Sequence, residues 1–348
     1  MVEKLPNFGF TATGIGSVPF LEVETTCKEI IGLFPHMPYW PQFVKRSYLE
    51  DMSVQYSEGL PLLEVNEEKR ALSVSHTGER ESELVAFYER FFSGDIESFA
   101  ISEAYAPGLY AFMAFLDESN SDQKSYVKGQ TVGPITFTSG ILGLDGKPII
   151  HDPELSEAMV RGLAIKALWQ VRMLEKSGRR PVIFLDEPSL SGFGSAFSSI
   201  QRHDVVDMLQ MMISYLKDHS DCLVGIHCCG NTDWSMIMSA GPDIINFDAF
   251  EFMDHFLLYP DEIAGFFRGG GAIAWGIVPT SGFTGNESVT DLLRKVSEGS
   301  KKLQKTGISP EAIIRGSIFT PSCGMGSMTP THARSAMNLL ARLQGQMP

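Results

Sequence analysis

Short apolar segments alternate with longer segments of helical periodicity along this chain, and that alternation is typical of a parallel α/β fold. Candidate strands lie at 11–16, 60–65, 126–131, 182–186, 222–227, 243–248, 272–277 and 312–318. The clearest helical segments are 154–177, 200–217, 287–304 and 329–343. Eight strands with intervening helices predict a single (β/α)8 TIM-type barrel spanning residues 1–348, with a doubly wound open sheet as the alternative. The segment 66–125 is longer than one crossover helix requires, so we expect a helical excursion after the second strand.

The charge and the cysteine content of the chain limit the partners and the chemistry that we expect for it. Lys and Arg total 28 against 42 Asp and Glu, a formal charge of -14. This balance disfavours nucleic acid and anionic membranes as partners, since both are bound by clustered cations. No run of about 18 apolar residues predicts a membrane span, and the N-terminus lacks a secretory signal pattern. Five cysteines, an odd number, disfavour a disulfide framework and indicate the cytoplasm, where grouped cysteines more often serve metal or redox chemistry.

The segment GIHCCGNT, residues 225–232, contains the most informative motif. An apolar strand ends at His227, and in an extended chain residues two apart face the same side, so His227 and Cys229 can share one ion. Cys323 follows the last candidate strand in the segment TPSCGMG. Parallel barrel strands deliver their carboxyl ends to one rim, so Cys323 is expected to join the pair. One nitrogen donor and two sulfur donors predict that the bound metal is zinc.

A carboxylate is expected to complete the metal site. Asp248 ends the sixth candidate strand, and Glu251, three residues later, is the competing ligand. Cys228 should point away from its neighbours and pack in the core, and the surroundings of Cys27 and Cys222 are apolar or helical. Two thiolates and a carboxylate would leave zinc a poor Lewis acid towards water but keep a bound thiolate nucleophilic. That favours alkylation of a thiol over hydrolysis.

Several motifs together resemble a known family. IGSVP at 15–19, VGPIT at 132–136, DEP at 186–188, the His-x-Cys motif and the Cys-Gly pair at 323–324 occur in the order of the catalytic domain of cobalamin-independent methionine synthases. HCCGNT also resembles the methylcorrinoid:coenzyme M methyltransferases, which share the fold of uroporphyrinogen decarboxylase. The resemblance covers nearly the whole chain and implies a (β/α)8 barrel, a zinc ion and methyl transfer to a thiol.

Individual residues match the motifs of that family. His227, Cys229 and Cys323 match zinc ligands, and Asp248 stands where the methionine synthases have a glutamate. The resemblance implies substrate contacts for five more residues: Asp186 and Glu64 as acids that bind the amine of homocysteine, and Ser17 with the Ile15 and Gly16 backbone as the loop that binds its carboxylate.

Two departures from the family bear on the methyl donor. The enzymes that use methyltetrahydrofolate have an additional N-terminal domain and a histidine after the seventh strand that protonates the folate. Here the corresponding segment, AWGIVPT at 274–280, has neither histidine nor aspartate. A pterin amine leaves poorly without a proton, whereas reduced cobalt does not need one. The expected donor is therefore a methylcorrinoid, presented by a separate corrinoid protein.

Three other functions remain open at this stage. A coenzyme M-type methyltransferase would need cations for the sulfonate. A decarboxylase resembling the uroporphyrinogen enzyme would need them for a polycarboxylate, and the loop TGIGSVP at 13–19 contains no arginine. The third alternative is a zinc-binding module without turnover, in which Asp186 and Ser17 would have no substrate to position.

Overall fold

Seven parallel strands curl into a half-barrel flanked by helices. The computed structural model describes residues 6–76, 79–118, 126–194 and 200–347. The sheet order is β1-β9-β8-β7-β6-β5-β4, and every neighbouring pair is parallel. Its strands are β1 Thr11–Ala12, β4 Tyr126–Val132, β5 Arg180–Asp186, β6 Leu223–Cys228, β7 Ile244–Phe247, β8 Ala272–Val278 and β9 Ser317–Pro321. The predicted α/β class and TIM-type arrangement are confirmed, although the barrel is not fully closed.

Helices follow most of the strands and cover the outside of the sheet. They are α1 Val23–Leu33, α2 Arg80–Ser93, α3 Pro107–Glu118, α4 Pro134–Gly140, α5 Pro153–Glu175, α6 Arg202–His219, α7 Trp234–Ser239, α8 Met253–Phe256, α9 Pro260–Arg268, α10 Val289–Gln304, α11 Pro310–Arg315 and α12 Pro330–Leu343. Helix α5 begins as its sequence predicts: the Asp152 carboxylate accepts the Leu155 amide and Pro153 occupies the first turn. Helices α2 and α3 form the expected excursion. Among the described helices, none has the length and apolar character needed to cross a membrane.

The second predicted strand, 60–65, is wrong as a barrel strand. Leu63–Asn66 forms β2, which pairs antiparallel with β3, Ala71–Val74, in a separate two-stranded sheet. The segment 36–42 lies in the gap of the barrel instead. Its backbone bonds Tyr126 and Lys128 of β4 on one side and residues 16 and 18 beyond β1 on the other. Prolines 38 and 41 supply no amide hydrogen, so this segment makes isolated bridges rather than a ladder and carries no strand signal in the sequence.

Most of the last predicted strand, 312–318, is helical in the structure. Residues 310–315 form α11, which begins with Pro310 in its first turn and a cap in which the Ser309 hydroxyl accepts the Ala312 amide. The strand itself, β9, starts only at Ser317. An apolar Ala-Ile-Ile segment is compatible with either structure, and the capping residues decide between them.

Inward-facing positions of the strands change from apolar to polar along the chain direction. Val182 and Phe184 of β5 belong to a small buried cluster with Leu223 of β6, whereas Ile183 and Leu185 belong to the larger core shared with the helices. Because side chains alternate between the two faces of a strand, Asp186 and His227 follow on the inner face. The lower part of the barrel is therefore filled mainly with apolar side chains, with Lys128 of β4 as a buried exception, and other polar groups collect at the carboxyl rim.

Close packing of α3 against the segment 36–42 generates a stability prediction. A Cβ added at Gly108 would lie 2.0 Å from the Pro41 carbonyl oxygen, so Gly108→Ala must displace backbone. We expect the unfolding free energy to fall by about 1–3 kcal/mol, measured by urea denaturation. Gly32→Ala on α1 is the matched control, because a Cβ there meets nothing within 4 Å. That variant should be neutral or slightly stabilised. Equal midpoints for the two variants would contradict the packing.

Candidate functional site

His227, Cys229 and Cys323 meet at the carboxyl rim of the barrel. Their ligand atoms all lie within 4.8 Å of one another, although Cys323 follows β9 and the other two lie at the end of β6. His227 is buried, and both cysteines are half-buried. Curvature of the sheet across β7 and β8 brings the two strand ends together. As predicted, the Cys228 side chain points away from those of its two neighbours and is fully buried in the core outside the sheet.

The His227 ring is anchored by a neighbouring strand. Its Nδ1 atom lies 2.5 Å from Oδ1 of Asn246, the residue paired with His227 in the parallel register of β6 and β7. Asn246 is completely buried. The other ring nitrogen, Nε2, is left to face the two thiols. The sequence analysis did not select Asn246, although an asparagine within an apolar strand is a signal that a buried partner exists.

The two thiols have unlike affinities for protons. Hydrogen bonding from Cys323, with His227 contributing, lowers the pKa of Cys229 well below its ordinary value. The same pairing, together with burial, raises the pKa of Cys323. Burial pushes the pKa of His227 down, but its hydrogen bond to Cys229 and the charge of Asp186 outweigh burial and raise it. Cys229 is therefore the first of the two thiols to become a thiolate.

Asp186 lies beside the cluster with an unused acceptor atom. It pairs with His227 in the register of β5 and β6 and is 7% exposed, and its Oδ1 atom has no hydrogen-bond partner. Burial raises the pKa of Asp186, and the charges of His227 and Lys128 oppose that rise. A buried carboxylate oxygen without a donor is costly, so this atom is a candidate binding position for a donor from outside the chain.

A buried lysine lies on the inner face of β4. Lys128 is fully buried, and its Nζ atom donates to the Ile15 carbonyl and to Oε1 of Gln130 at 3.2 Å. Burial lowers the pKa of Lys128, while the charge of Asp186 favours its protonated form. Its position within the apolar strand YVKGQTV was a usable signal that the sequence analysis missed.

The loop predicted to bind a carboxylate packs directly on the Cys323 loop. The Ser17 carbonyl accepts the Met325 amide at 3.0 Å, and the Ser17 hydroxyl accepts the Gly326 amide at 3.4 Å. A Cβ at Gly324 would lie 2.2 Å from that hydroxyl oxygen, so a larger residue there would displace the Ser17 side chain. The Gly16 carbonyl accepts the Gln42 amide at 3.0 Å, which links the loop to the segment that fills the barrel gap.

These groups surround one cavity of about 430 Å³. Predicted site residues on its wall are Ile15, Ser17, Asp186, His227, Cys229 and Cys323. The segment after residue 41 adds lining residues that the sequence analysis missed: Gln42, Val44, Lys45, Asp51 and Met52. Lys45 is exposed, and it is the only lysine or arginine among the described residues that line the cavity. These residues begin at the end of the segment 36–42, which fills the barrel gap. The place of that segment in the barrel has no sequence signal.

Three predicted carboxylates are not brought into this group. Glu64 is exposed on β2, in the separate hairpin, because the strand that carries it is not part of the barrel. Asp248 is 7% exposed, but its Oδ1 atom accepts the amides of Phe250 and Glu251, both at 2.9 Å, and so closes the turn after β7. Burial raises the pKa of Asp248 to about 6. Glu251 is exposed.

The three clustered side chains fit a metal ion that prefers nitrogen and sulfur. Ligand atoms around a tetrahedral zinc ion are about 3.3–3.8 Å apart when the bonds are about 2.0–2.3 Å long. The spacing of at most 4.8 Å therefore requires only small side-chain movements. Three protein ligands would leave one position of a tetrahedral zinc ion for a substrate, as is usual in catalytic zinc sites.

Comparisons with known proteins give a likeness of fold. The chain is similar to a solved structure of a B12-independent methionine synthase from Shewanella sp. W3-18-1 in complex with selenomethionine, with 16% sequence identity and a TM-score of 0.44. The match covers 67% of this chain and 65% of that one. No protein-family model and no curated protein matches the sequence.

The lowered pKa of Cys229 generates a reactivity prediction. In metal-free protein, Cys229 should react with iodoacetamide at a rate independent of pH from 6 to 8, because its thiolate is already formed. An ordinary thiol accelerates about tenfold per pH unit over that range. Tandem mass spectrometry assigns the modified cysteine. Cys27 and Cys222 are internal controls that should stay unmodified, since both are buried and have raised pKa values. A tenfold rise per pH unit at Cys229 would show that its pKa is ordinary.

Proposed function

We propose that this chain is a zinc-dependent methyltransferase that moves a methyl group from a methylcorrinoid to a small amino-acid thiol, homocysteine. One observation carries the proposal: a cluster of one imidazole and two thiols shares a cavity with a buried carboxylate oxygen that has no partner. The cluster is suited to a thiol, and the carboxylate to an ammonium group. Homocysteine carries both groups.

His227, Cys229 and Cys323 would hold the zinc ion. Two thiolates bring two negative charges to a dication, so the site is close to neutral before the acceptor binds. A thiol coordinated there would have a lowered pKa and would be a thiolate near neutral pH, which is the chemistry that zinc would supply. Apolar side chains fill the barrel below the cluster, including Phe184, and exclude water from that side.

Asp186 would orient the acceptor through its amine. Its Oδ1 atom accepts a hydrogen bond from the ammonium group, and the charge of Lys128 opposes the rise that burial causes in the pKa of Asp186. The Ser17 loop, where the substrate carboxylate would bind, and Lys45 also line the cavity. An acid and a cation in one cavity complement an amino acid.

Coenzyme M is the second candidate acceptor, and Lys45 is the observation that favours it, because a sulfonate needs a cation. Coenzyme M has no amine, however, and would leave the Asp186 oxygen without a donor. Buried acceptors that stay unpaired reduce affinity, so homocysteine is the better match.

The donor is inferred from the loop that follows β8. This loop continues as Pro279-Thr280, and Thr280 is engaged with the Ser322 hydroxyl, its amide lying 3.2 Å from that oxygen. No acid stands there to protonate a pterin. Transfer from a methylcorrinoid is balanced without one: the cobalt keeps the electron pair of the broken carbon–cobalt bond, sulfur forms the new bond to carbon, and the thiol proton goes to solvent.

The other two functions are less well matched. A decarboxylase acting on a polycarboxylate needs several cations, and Lys45 is the only lysine or arginine among the described lining residues. A zinc module without turnover would leave Asp186 a buried, unpaired acid without a purpose.

The adjacent cysteines provide a matched test of the metal site. Cys229→Ser should lower zinc affinity by at least about 100-fold, because a hydroxyl is a much poorer zinc ligand than a thiolate. Cys228→Ser changes the neighbouring, outward-facing thiol and should keep one zinc per chain. Equilibrium dialysis with elemental analysis measures both. Full zinc content in Cys229→Ser, or no zinc in the unmodified protein, would refute the metal site.

An assay with two acceptors tests the role of Asp186. With methylcobalamin as donor, Asp186→Asn should raise the KM for homocysteine about 10- to 100-fold, because a charge-assisted hydrogen bond is lost. The KM for 4-mercaptobutyrate, which is homocysteine without its amine, should change little. Product is measured by mass spectrometry.

The same assay tests recognition of the amine, the identity of the methyl donor and the identity of the acceptor separately. Equal KM values for the two acceptors in the unmodified protein would exclude recognition of the amine. Methyl transfer from methyltetrahydrofolate but not from methylcobalamin would show that the corrinoid assignment is wrong. Turnover of coenzyme M in preference to homocysteine would replace the acceptor.

A further inference from the structure

We infer that Asn246 is a positioning residue for the metal site and dictates which nitrogen of His227 is available as a ligand. The inference rests on the proposed zinc site, because the His227 ring is one of the three candidate ligands. It concerns a residue that contacts neither the cavity nor the cluster's thiols, and it follows from the hydrogen bonds of one buried amide.

The orientation of the Asn246 amide is determined by a backbone carbonyl. Nδ2 lies 2.8 Å from the Ala274 carbonyl oxygen and 2.8 Å from Oγ1 of Thr320. A carbonyl oxygen can only accept, so the amide atom facing it must be the nitrogen. Both Nδ2 hydrogens are then used, and Oδ1 is the atom that faces His227.

That orientation determines where the His227 proton lies. Oδ1 of Asn246 can only accept, and it lies 2.5 Å from Nδ1 of His227, so Nδ1 must carry a hydrogen. The lone pair available for a metal is consequently on Nε2, and the His227 ring also shares a hydrogen bond with Cys229. Partners of this kind fix the tautomer and the ring plane of a ligating histidine.

The same side chain connects both strands that supply ligands. Asn246 on β7 bonds His227 on β6, Ala274 on β8 and Thr320 on β9, and Thr320 precedes Cys323 by three residues. Asn246 is 0% exposed, so water does not compete for these bonds. Its amide therefore also sets the distance between the two halves of the cluster.

Substitution separates the acceptor of the Asn246 amide from its donor. Asn246→Asp keeps an acceptor opposite Nδ1 but gives up the Nδ2 donor, so its second oxygen can bond the Ala274 carbonyl only as a protonated carboxyl. Asn246→Leu keeps the branched shape of the side chain and removes both the acceptor and the donor. Thr320→Val removes one of the two Nδ2 acceptors and leaves the Ala274 bond intact.

Zinc affinity, measured by competition with a chromogenic chelator, is the first readout. Asn246→Leu should lose about 10- to 100-fold in zinc affinity, whereas Asn246→Asp, which retains an acceptor opposite Nδ1, should lose less. Thr320→Val should change affinity less than Asn246→Leu. Urea denaturation of the metal-free variants reports stability separately.

Histidine nitrogen NMR on metal-free protein is the second readout, and His227→Gln assigns the signals. Nδ1 of His227 should carry the proton in the unmodified protein and in Asn246→Asp, and should lose that preference in Asn246→Leu. The NMR result does not depend on zinc, so a failure of the zinc site and a failure of this inference are distinguishable.

Three results would overturn the inference. The first is a His227 whose proton resides on Nε2 with Nδ1 bare. The second is an Asn246→Leu variant that is destabilised but binds zinc like the unmodified protein, which would make the role of Asn246 merely structural. The third is a Thr320→Val variant that loses as much affinity as Asn246→Leu, which would assign the effect to packing between β7 and β9.

Discussion

All strands of the main sheet run in one direction, and the rest of the molecule depends on that constraint. Parallel strands place every carboxyl end at one rim, so residues far apart in sequence become neighbours if they follow strands. Inward-facing positions begin apolar, as at Val182 and Phe184, and end polar, as at Asp186. The apolar part holds the strands together, and the polar part forms the candidate site without replacing the apolar side chains below it.

Burial of charge is the second constraint, and it organises the rim. Asp186, His227 and Lys128 are all at least nine-tenths buried, and isolated charges in such places are strongly disfavoured. Lys128 is balanced by the Ile15 carbonyl and the charge of Asp186. His227 is balanced by Asn246 and Cys229. The Asp186 oxygen that stays unpaired is therefore informative, because its surroundings balance the charges of its neighbours but supply no donor to it.

The fold class and the cluster of His227, Cys229 and Cys323 were accessible from the sequence for different reasons. The strands from 126 to 277 are mostly apolar, are buried on both faces and are bounded by helices, so local pattern and tertiary structure agree there. The His-x-Cys motif was readable because spacing along a strand is a local property. Glu64 was misplaced because the hairpin β2–β3 and a barrel strand have the same local pattern, and only pairing partners distinguish them.

By itself the sequence determined the alternation of strands and helices, the order of the motifs and the ends of strands where reactive side chains stand. These are consequences of periodicity, capping and turn chemistry, which act over a few residues. Tertiary structure alone decided that the segment 36–42 fills the barrel gap, that Asp248 closes a turn instead of joining the cluster, and that Asn246 bonds His227. Each of those outcomes depends on which groups meet across the sheet, and contacts between residues distant in sequence leave no periodic pattern in the chain.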